Sequence, residues 1–527
     1  MNNNFLRAVF FLSFCQAFSV PQVTLIIVID QFAYHELQKL LPFFKGGIKF
    51  LHDNGINYTY AVQPQGTPVT GTGHAVISTG TYAAEHGIIS NSWFDAHGKK
   101  VICDEDPEMP VIAPHGVYSY GRSAKNLYVD TLSDQIILNS SPHAQCNVLS
   151  LSLKSRAAIL MAGNLGKALW FDERSGRFTS SKAYYSALPQ WLTEFNNKNH
   201  LRKNGIMWHL NKKNKSAYNF KLTHNYNYVD GHESLIEHLN PKLFLKTPPA
   251  NQLLMECATS AFLEWFEKKS LNNHLVMWLS ISSLDKVGHL YGPYAQETID
   301  MLYHIDEHLG IFLNTIFEHV DKQELLVALT SDHGVHPIMQ LVKKQGLDFA
   351  RKVNSSRLRA ALNKYIEQKF GYKNSIEHIK IPYCYCNPTI KNLPARELTR
   401  IKRAIVEQLR KYPGIKNCWL IEDLLSQQFQ ASSIEYHLQK QYYPGRSGDI
   451  IFQIMPYTDM SKIPWGTKHN APYDYDTHVP LMLYHPSTLP AQTIDERVII
   501  QQLPVTLAHF LQVPRPSAST CDILPGI

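Results

Sequence analysis

Aspartates and histidines recur in this chain where apolar runs stop. Asp332 and His333 are adjacent, just beyond the run 325–329. Asp285 and His289 stand four apart in D-K-V-G-H, at the end of the run 275–284. Asp30 closes the run 23–29, and His478, in Y-D-T-H-V-P, precedes the run 479–484. Three carboxylates and three imidazoles suit zinc, which takes nitrogen and oxygen ligands in low coordination number and keeps one position open in catalytic sites. Six ligands divide into two ions with three each. Two ions a few ångströms apart can clamp the attacking and leaving oxygens of an in-line displacement. The chain has 25 histidines, so any single Asp-His pair is an ordinary loop hydrogen bond. Repetition at strand ends carries the reading.

A hydroxyl-rich stretch completes the set. Residues 66–80 read GTPVTGTGHAVISTG, with small residues around Thr67, Thr70 and Thr72 and a helix beginning near His74. A hydroxyl at a helix N-terminus faces free N–H groups and the positive end of the helix dipole, a setting for phosphate. In isolation the stretch also reads as a threonine cap in a glycine-rich turn. Threonine is a weak nucleophile at neutral pH, and a divalent metal would lower its pKa.

The runs that position these residues are continuous and rich in β-branched and apolar residues, as in strands buried on both faces of a parallel sheet. Helical periodicity alternates with them, at Ile299, Leu302, Ile305, Leu309 and Phe312, near 404–409 and at 503–511. The alternation predicts an α/β/α three-layer sandwich around a mostly parallel sheet, with ligands at the carboxyl ends of its strands. Residues 92–270 and 335–460 have weak or mixed patterning and read as insertions covering that edge of a single domain over 20–527.

With 527 residues, 44% of them hydrophobic, the chain can bury a large core. Charged residues are 18% of it, which excludes extensive disorder. A net charge of +7 spread over this length suits small anionic substrates and does not call for nucleic acid. The start, MNNNFLRAVFFLSFCQAFSVPQ, has Arg7, an apolar run and small residues at Ala17 and Ser19. It reads as a signal peptide over 1–19, so the expected destination is periplasmic or secreted, with no membrane span after cleavage. Eight cysteines leave disulfide pairing open, and Cys384-x-Cys386 lacks a second pair at zinc-finger spacing.

Taken together, T-G-T-G-H-A-V-I-S-T-G, H-G-I-I-S-N-S-W-F-D, D-x-x-x-H, S-D-H-G and Y-D-T-H-V-P-L follow one another in that order. They resemble the alkaline phosphatase superfamily, in the branch of nucleotide pyrophosphatases and phosphodiesterases. The resemblance implies two Zn2+ per chain. Thr70 matches the nucleophile. Asp285, His289 and His478 match the ligands of one zinc, and Asp30, Asp332 and His333 those of the other, which also holds the Thr70 oxygen. Asn91 matches the asparagine that binds a phosphoryl oxygen. Lys154 and Arg156, two apart before A-A-I-L-M-A-G, resemble the pair of the PafA-type alkaline phosphatases, which would hold the extra charge of a monoester. Ser155 between them is expected to vary without consequence. V-P-R-P-S-A-S near the C-terminus also resembles the family's tail.

The expected protein is therefore a monomeric phosphomonoesterase, with inorganic phosphate as product and inhibitor. A diesterase with the same metals is the alternative. A non-catalytic metal-binding relative is a further one. A sulfatase is disfavoured because its nucleophile is a modified Cys or Ser.

Overall fold

A computed structural model describes residues 19–140, 146–199, 206–212, 215–218, 233–236, 240–270, 273–460 and 466–527. The expected leader, apart from its last residue, lies outside them. The main sheet is built from β1 (Val23–Ile29), β2 (Ile56–Val62), β3 (Cys146–Ser152), β4 (Lys167–Asp172), β5 (Arg177–Thr179), β6 (His274–Ile281), β7 (Leu325–Thr330), β8 (His478–Tyr484) and β9 (Gln492–Ile499). In space they lie in the order β9-β2-β8-β7-β1-β6-β3-β4-β5.

The central strands β7, β1, β6, β3 and β4 are parallel. Every residue of β1 and β7 is buried, and so is all of β6 except His274. Ile27, Met277 and Leu279 face the helices Pro248–Lys268 and Gln296–Phe317. Val28, Val276 and Trp278 face the opposite layer, which includes helix α1 (Thr70–Thr79), helix α2 (Ser155–Ala162) and the last helix, Gln502–Phe510. The protein is the expected α/β/α sandwich.

Two expectations need correction. The run 479–484 reads like its parallel neighbours, but β8 is antiparallel to both β7 and β2. An apolar run fixes burial and leaves strand direction open. The span 92–270 is also not simply an insertion. It returns β3, β4 and β5 to the main sheet, and its helix Pro248–Lys268 packs on the core. Polar residues inside C-N-V-L-S-L-S and the shortness of K-A-L-W-F-D hide these strands from a periodicity reading.

Within 335–460 lies a small lobe. Its sheet runs Ile376–Lys380, Tyr383–Cys386, Ile450–Ile454, Ile415–Leu420. Helices Ser355–Phe370 and Ala395–Lys411 cover one face through Leu362, Ile366, Ile401 and Ile405. Tyr383, Tyr385 and Ile451 on the other face pack against Ile88, Ile89 and Trp93. Cys384 and Cys386 are buried in this sheet, and every described cysteine is a free thiol.

The segment that leads from α1 to Asn91 passes through His86, which is fully buried. Burial, reinforced by the Arg446 charge, pulls its pKa down to about 3. The neutral ring accepts a hydrogen bond from the Ile88 N–H (3.0 Å). Because the folded pKa lies below the unfolded value, this contribution is present above pH 6.5 and is lost as pH falls toward 3. Relative to His86→Gln, the wild type should lose about 1.4 kcal/mol of stability per pH unit below 6.5. Denaturant unfolding of both proteins at several pH values measures this, and a pH-independent difference would refute it.

Candidate active site

Strand register gathers the site. Ile29 pairs with Ile281, Val28 with Thr330, and Ser152 with Ser280. Residues just beyond these pairs therefore emerge at one edge: Asp30, Asp285, Asp332, His333 and Lys154. The 275–284 run stops as strand at Ile281. Helix α3 (Ser283–Tyr291) begins there and sets Asp285 and His289 one turn apart on one face. Their Oδ1 and Nε2 atoms are 3.1 Å apart.

Asp30, Asp285, Asp332 and His333 are buried. His333 Nε2 lies 3.6 Å from Asp30 Oδ1 and 3.5 Å from Asp332 Oδ2. Among the described residues, none of these three atoms has a hydrogen-bond partner. The expected sixth ligand is elsewhere. His478, the first residue of β8, is paired with Val62; its Nε2 donates to the Thr59 carbonyl (2.8 Å) and its ring stacks on Tyr34. Strand pairing holds that ring away from the cluster. His469, from the loop before β8, takes the position: its Nε2 is 3.5 Å from Asp285 Oδ1, and its ring stacks on His333. Donor atoms of Asp285, His289 and His469 lie within 4.8 Å of one another, as do those of Asp30, Asp285 and His333.

The three imidazoles share one arrangement. Nδ1 of His289, His333 and His469 meets the carbonyls of Thr467, Gly334 and Pro68, at 3.0, 3.0 and 2.8 Å. A carbonyl only accepts, so each Nδ1 carries the proton and each Nε2 presents a lone pair. Burial pulls all three histidines down, His469 to about 4, with the His333 ring adding to the effect there, so they are neutral at physiological pH. Lone pairs facing carboxylate oxygens repel unless a cation lies between them. The Lys154 ammonium is one such charge, 2.6 Å from Asp30 Oδ2 and 2.5 Å from Asp285 Oδ2. Burial opposes its charge, but Asp285 and Asp30 outweigh that and raise its pKa. One ammonium against three carboxylates leaves negative charge uncompensated. Burial and the nearby Asp332 push Asp30 up to about 7. Burial would also raise Asp332, but His74 beside it and the Lys154 ammonium hold it below the usual carboxylate range. Orphaned donors and excess negative charge fit two divalent cations.

The candidate nucleophile stands beside them. Thr70 is buried at the first position of α1. The N-cap is Val69, so the Thr70 hydroxyl makes no cap, and its Oγ1 is 3.4 Å from Lys154 Nζ. Asn91 Oδ1 accepts from the Gly71 N–H (2.6 Å), which leaves its NH2 as a donor over the same helix start. His74, a turn into α1, sits 3.3 Å from Asp332 Oδ2 and 2.9 Å from Ser280 Oγ. Gly73 allows the approach: a Cβ there would lie 2.4 Å from the Asp332 carbonyl oxygen.

Lys154 and Arg156 come together at the start of a helix. Lys154 is the N-cap of α2 and Arg156 lies in its first turn. Arg156 Nε is buried without a partner among the described residues, and its charge reaches Lys154. Ser155 is no neutral spacer. Its hydroxyl donates to Asp104 Oδ2 (2.6 Å), which also pairs with Arg122 Nε (3.5 Å), tying the start of α2 in place.

Sequence reasoning also missed Gln31. This buried residue holds a left-handed φ of 75°. Its N–H donates to Asp332 Oδ1 (3.1 Å) and its Nε2 to Asp285 Oδ1 (2.9 Å). Gly288 makes room: a Cβ there would fall 1.8 Å from Gln31 Oε1. Neither His469 nor Gln31 lies in a periodic pattern. The available signals were a histidine in the loop segment G-T-K-H-N-A-P and an amide directly after the first strand-end aspartate.

This fold and this cluster define an α/β enzyme class in which candidate metal ligands gather beside a hydroxyl at the sheet edge. The chain belongs to the type I phosphodiesterase/nucleotide pyrophosphatase family, which matches residues 24–468, within the alkaline phosphatase superfamily. It is 27% identical to alkaline phosphatase PhoV of Synechococcus elongatus, over 98% of this chain and 94% of that protein. It is also 27% identical to alkaline phosphatase PafA of Elizabethkingia meningoseptica, over 88% and 86%. Its fold is similar to the crystal structure of wild-type alkaline phosphatase PafA, with a TM-score of 0.85, 24% identity and coverage of 97% and 99%. Murine ectonucleotide pyrophosphatase/phosphodiesterase 5 is more distant, with a TM-score of 0.53 and 14% identity over 93% and 95%.

The two candidate histidines can be separated by experiment. His469→Ala should lower divalent-metal affinity at least about tenfold and leave fewer ions bound per chain, whereas His478→Ala should keep full occupancy. Metal content by elemental analysis after graded chelation reads this directly. Equal loss in both variants would refute the assignment.

Proposed function

We propose that the protein is a bimetallic phosphatase that hydrolyses phosphate monoesters through a covalent phospho-threonine at Thr70. The observation that carries this is the buried Thr70 hydroxyl, 3.4 Å from the Lys154 ammonium that bridges Asp30 and Asp285, on a helix whose His74 reaches Asp332. The relatives named as alkaline phosphatases, each matched over most of its length, support the same reading.

Asp285, His289 and His469 would hold one divalent ion, and Asp30, Asp332 and His333 the other. The imidazole and carboxylate set favours zinc. Bound there, the ions would lower the pKa of the Thr70 hydroxyl and of the hydrolytic water and offset charge on the leaving oxygen. Thr70 Oγ attacks phosphorus in line as the bond to the alcohol oxygen breaks. The alcohol leaves, and the phosphoryl group rests on Thr70. Water then attacks the same phosphorus from the vacated side, releasing phosphate and restoring the hydroxyl. Through both steps the Asn91 NH2, the Lys154 ammonium and the Arg156 guanidinium hold the non-bridging oxygens. Gln31 and His74 keep the carboxylates aimed. The apolar leader-like start of the chain supports export as the setting.

A monoester carries one more negative charge than a diester, so the two cations discriminate between them. Lys154→Ala combined with Arg156→Ala should cut kcat/KM for an aryl phosphate monoester about 10²–10³-fold while changing that for the matching diester less than about tenfold. Equal losses on both substrates would favour the phosphodiesterase reading. Product phosphate fits the same seat and should inhibit monoester hydrolysis competitively. Initial rates that stay constant with millimolar phosphate present would count against the proposed site.

A further inference from the structure

The net charge is not spread over the molecule. Residues 343–416 contain 18 of the 51 Lys and Arg but only 5 of the 44 Asp and Glu, a local balance of +13. The rest of the chain is therefore at −6 against an overall +7. The excess lies in the small lobe and is turned outward. Its helices Ser355–Phe370 and Ala395–Lys411 pack against each other over the lobe's sheet. Their apolar residues, Leu358, Leu362, Ile401, Ile405 and Leu409, are buried beneath. Arg357, Lys364, Lys369, Arg396, Arg400 and Arg403 are exposed. Of the acids on these helices, Glu367 and Glu407 are exposed, and each is paired, with Lys373 (3.6 Å) and Lys411 (2.8 Å). At the edge of the face, Arg403, Arg410, Lys411 and Trp419 line a recess of about 510 Å³.

We infer that this helical face docks the enzyme on an anionic lipid surface. The face is a broad pair of side-by-side helices with dense positive charge, and no apolar side chain of these helices stands out as an anchor. That suits reversible electrostatic adsorption to a bilayer, where each basic residue near the surface strengthens binding about fivefold. A stable protein partner would need buried aromatic or aliphatic hot spots, which the face does not offer. Single-stranded nucleic acid would need open rings for stacking. The rings here, Tyr365 and Phe370, are covered by Lys369 (5.3 Å) and Arg400 (5.1 Å). The concentration of positive charge on this one lobe would orient the molecule with the lobe toward the lipid.

Sedimentation of the full chain with vesicles tests this, using phosphatidylcholine alone and phosphatidylcholine mixed evenly with phosphatidylglycerol. Binding is expected only to the mixed vesicles and should weaken steeply from low to physiological ionic strength. The triple variant R396E/R400E/R403E should bind them at least about 100-fold more weakly while retaining wild-type aryl phosphate hydrolysis in solution. Equal binding to neutral vesicles would overturn the inference, as would unchanged binding by a variant of unchanged activity. Tighter binding to heparin or duplex DNA than to the mixed vesicles would also overturn it and make the face a site for soluble polyanions. A variant that loses hydrolysis as well is replaced by the milder R396Q/R403Q, whose vesicle affinity should fall about 20-fold with activity intact.

Discussion

Three buried carboxylates gather at the edge of a parallel sheet, where one ammonium bridges two of them, Asp30 and Asp285, and the negative charge left over governs the rest of the architecture. Burying unpaired charge costs several kcal/mol per ion unless other charges compensate it. The register of β1, β6, β7 and β3 sets where the carboxylates and the ammonium emerge. The uniform Nδ1–carbonyl bonds of His289, His333 and His469 make the facing nitrogens lone-pair donors and so deepen the demand for cations. An arrangement this unfavourable without cations makes sense as a receptacle for them.

The same edge carries the groups proposed to decide which ester reacts. Thr70 and Asn91 belong to α1 and to the segment packed on it, whereas Lys154 and Arg156 belong to the turn from β3 into α2. Metals and nucleophile are thus independent in the chain of the groups that would hold the third phosphoryl oxygen. The more distant structural relatives share the fold, while on the proposed reading one short turn would set the charge preference at the phosphorus. The Ser155–Asp104–Arg122 chain of contacts is what fixes that turn here.

Much of this was readable from the sequence because buried parallel strands announce themselves as uninterrupted apolar runs, and the next polar residue is then at the functional edge. Asp30, Asp332 and His333 follow that logic, and Asp285 with His289 adds the helical spacing of four. His478 obeyed the same pattern and still misled. Its run is β8, antiparallel to its neighbours, and its first residue is spent on strand pairing and a stack with Tyr34. His469 occupies a loop whose path is set by tertiary contacts, such as its bond to Pro68, that leave no periodic trace. Strands β3 to β5 were hidden for a related reason: they are short or carry polar residues inside the sheet, so their burial comes from the layers above and below them. The charge of the lobe was legible as a count but not as a face, because only the packing of its two helices aligns those side chains.

Gln31 touches both halves of the centre, its peptide N–H on Asp332 and its amide on Asp285, from a backbone conformation that non-glycine residues rarely hold. Strain of that kind persists only when the surroundings over-determine it. An ion bound at one half of the proposed centre would stiffen the residue that the other half leans on. By linkage, two ions held this way would not bind independently, and each would change its neighbour's affinity by the same factor.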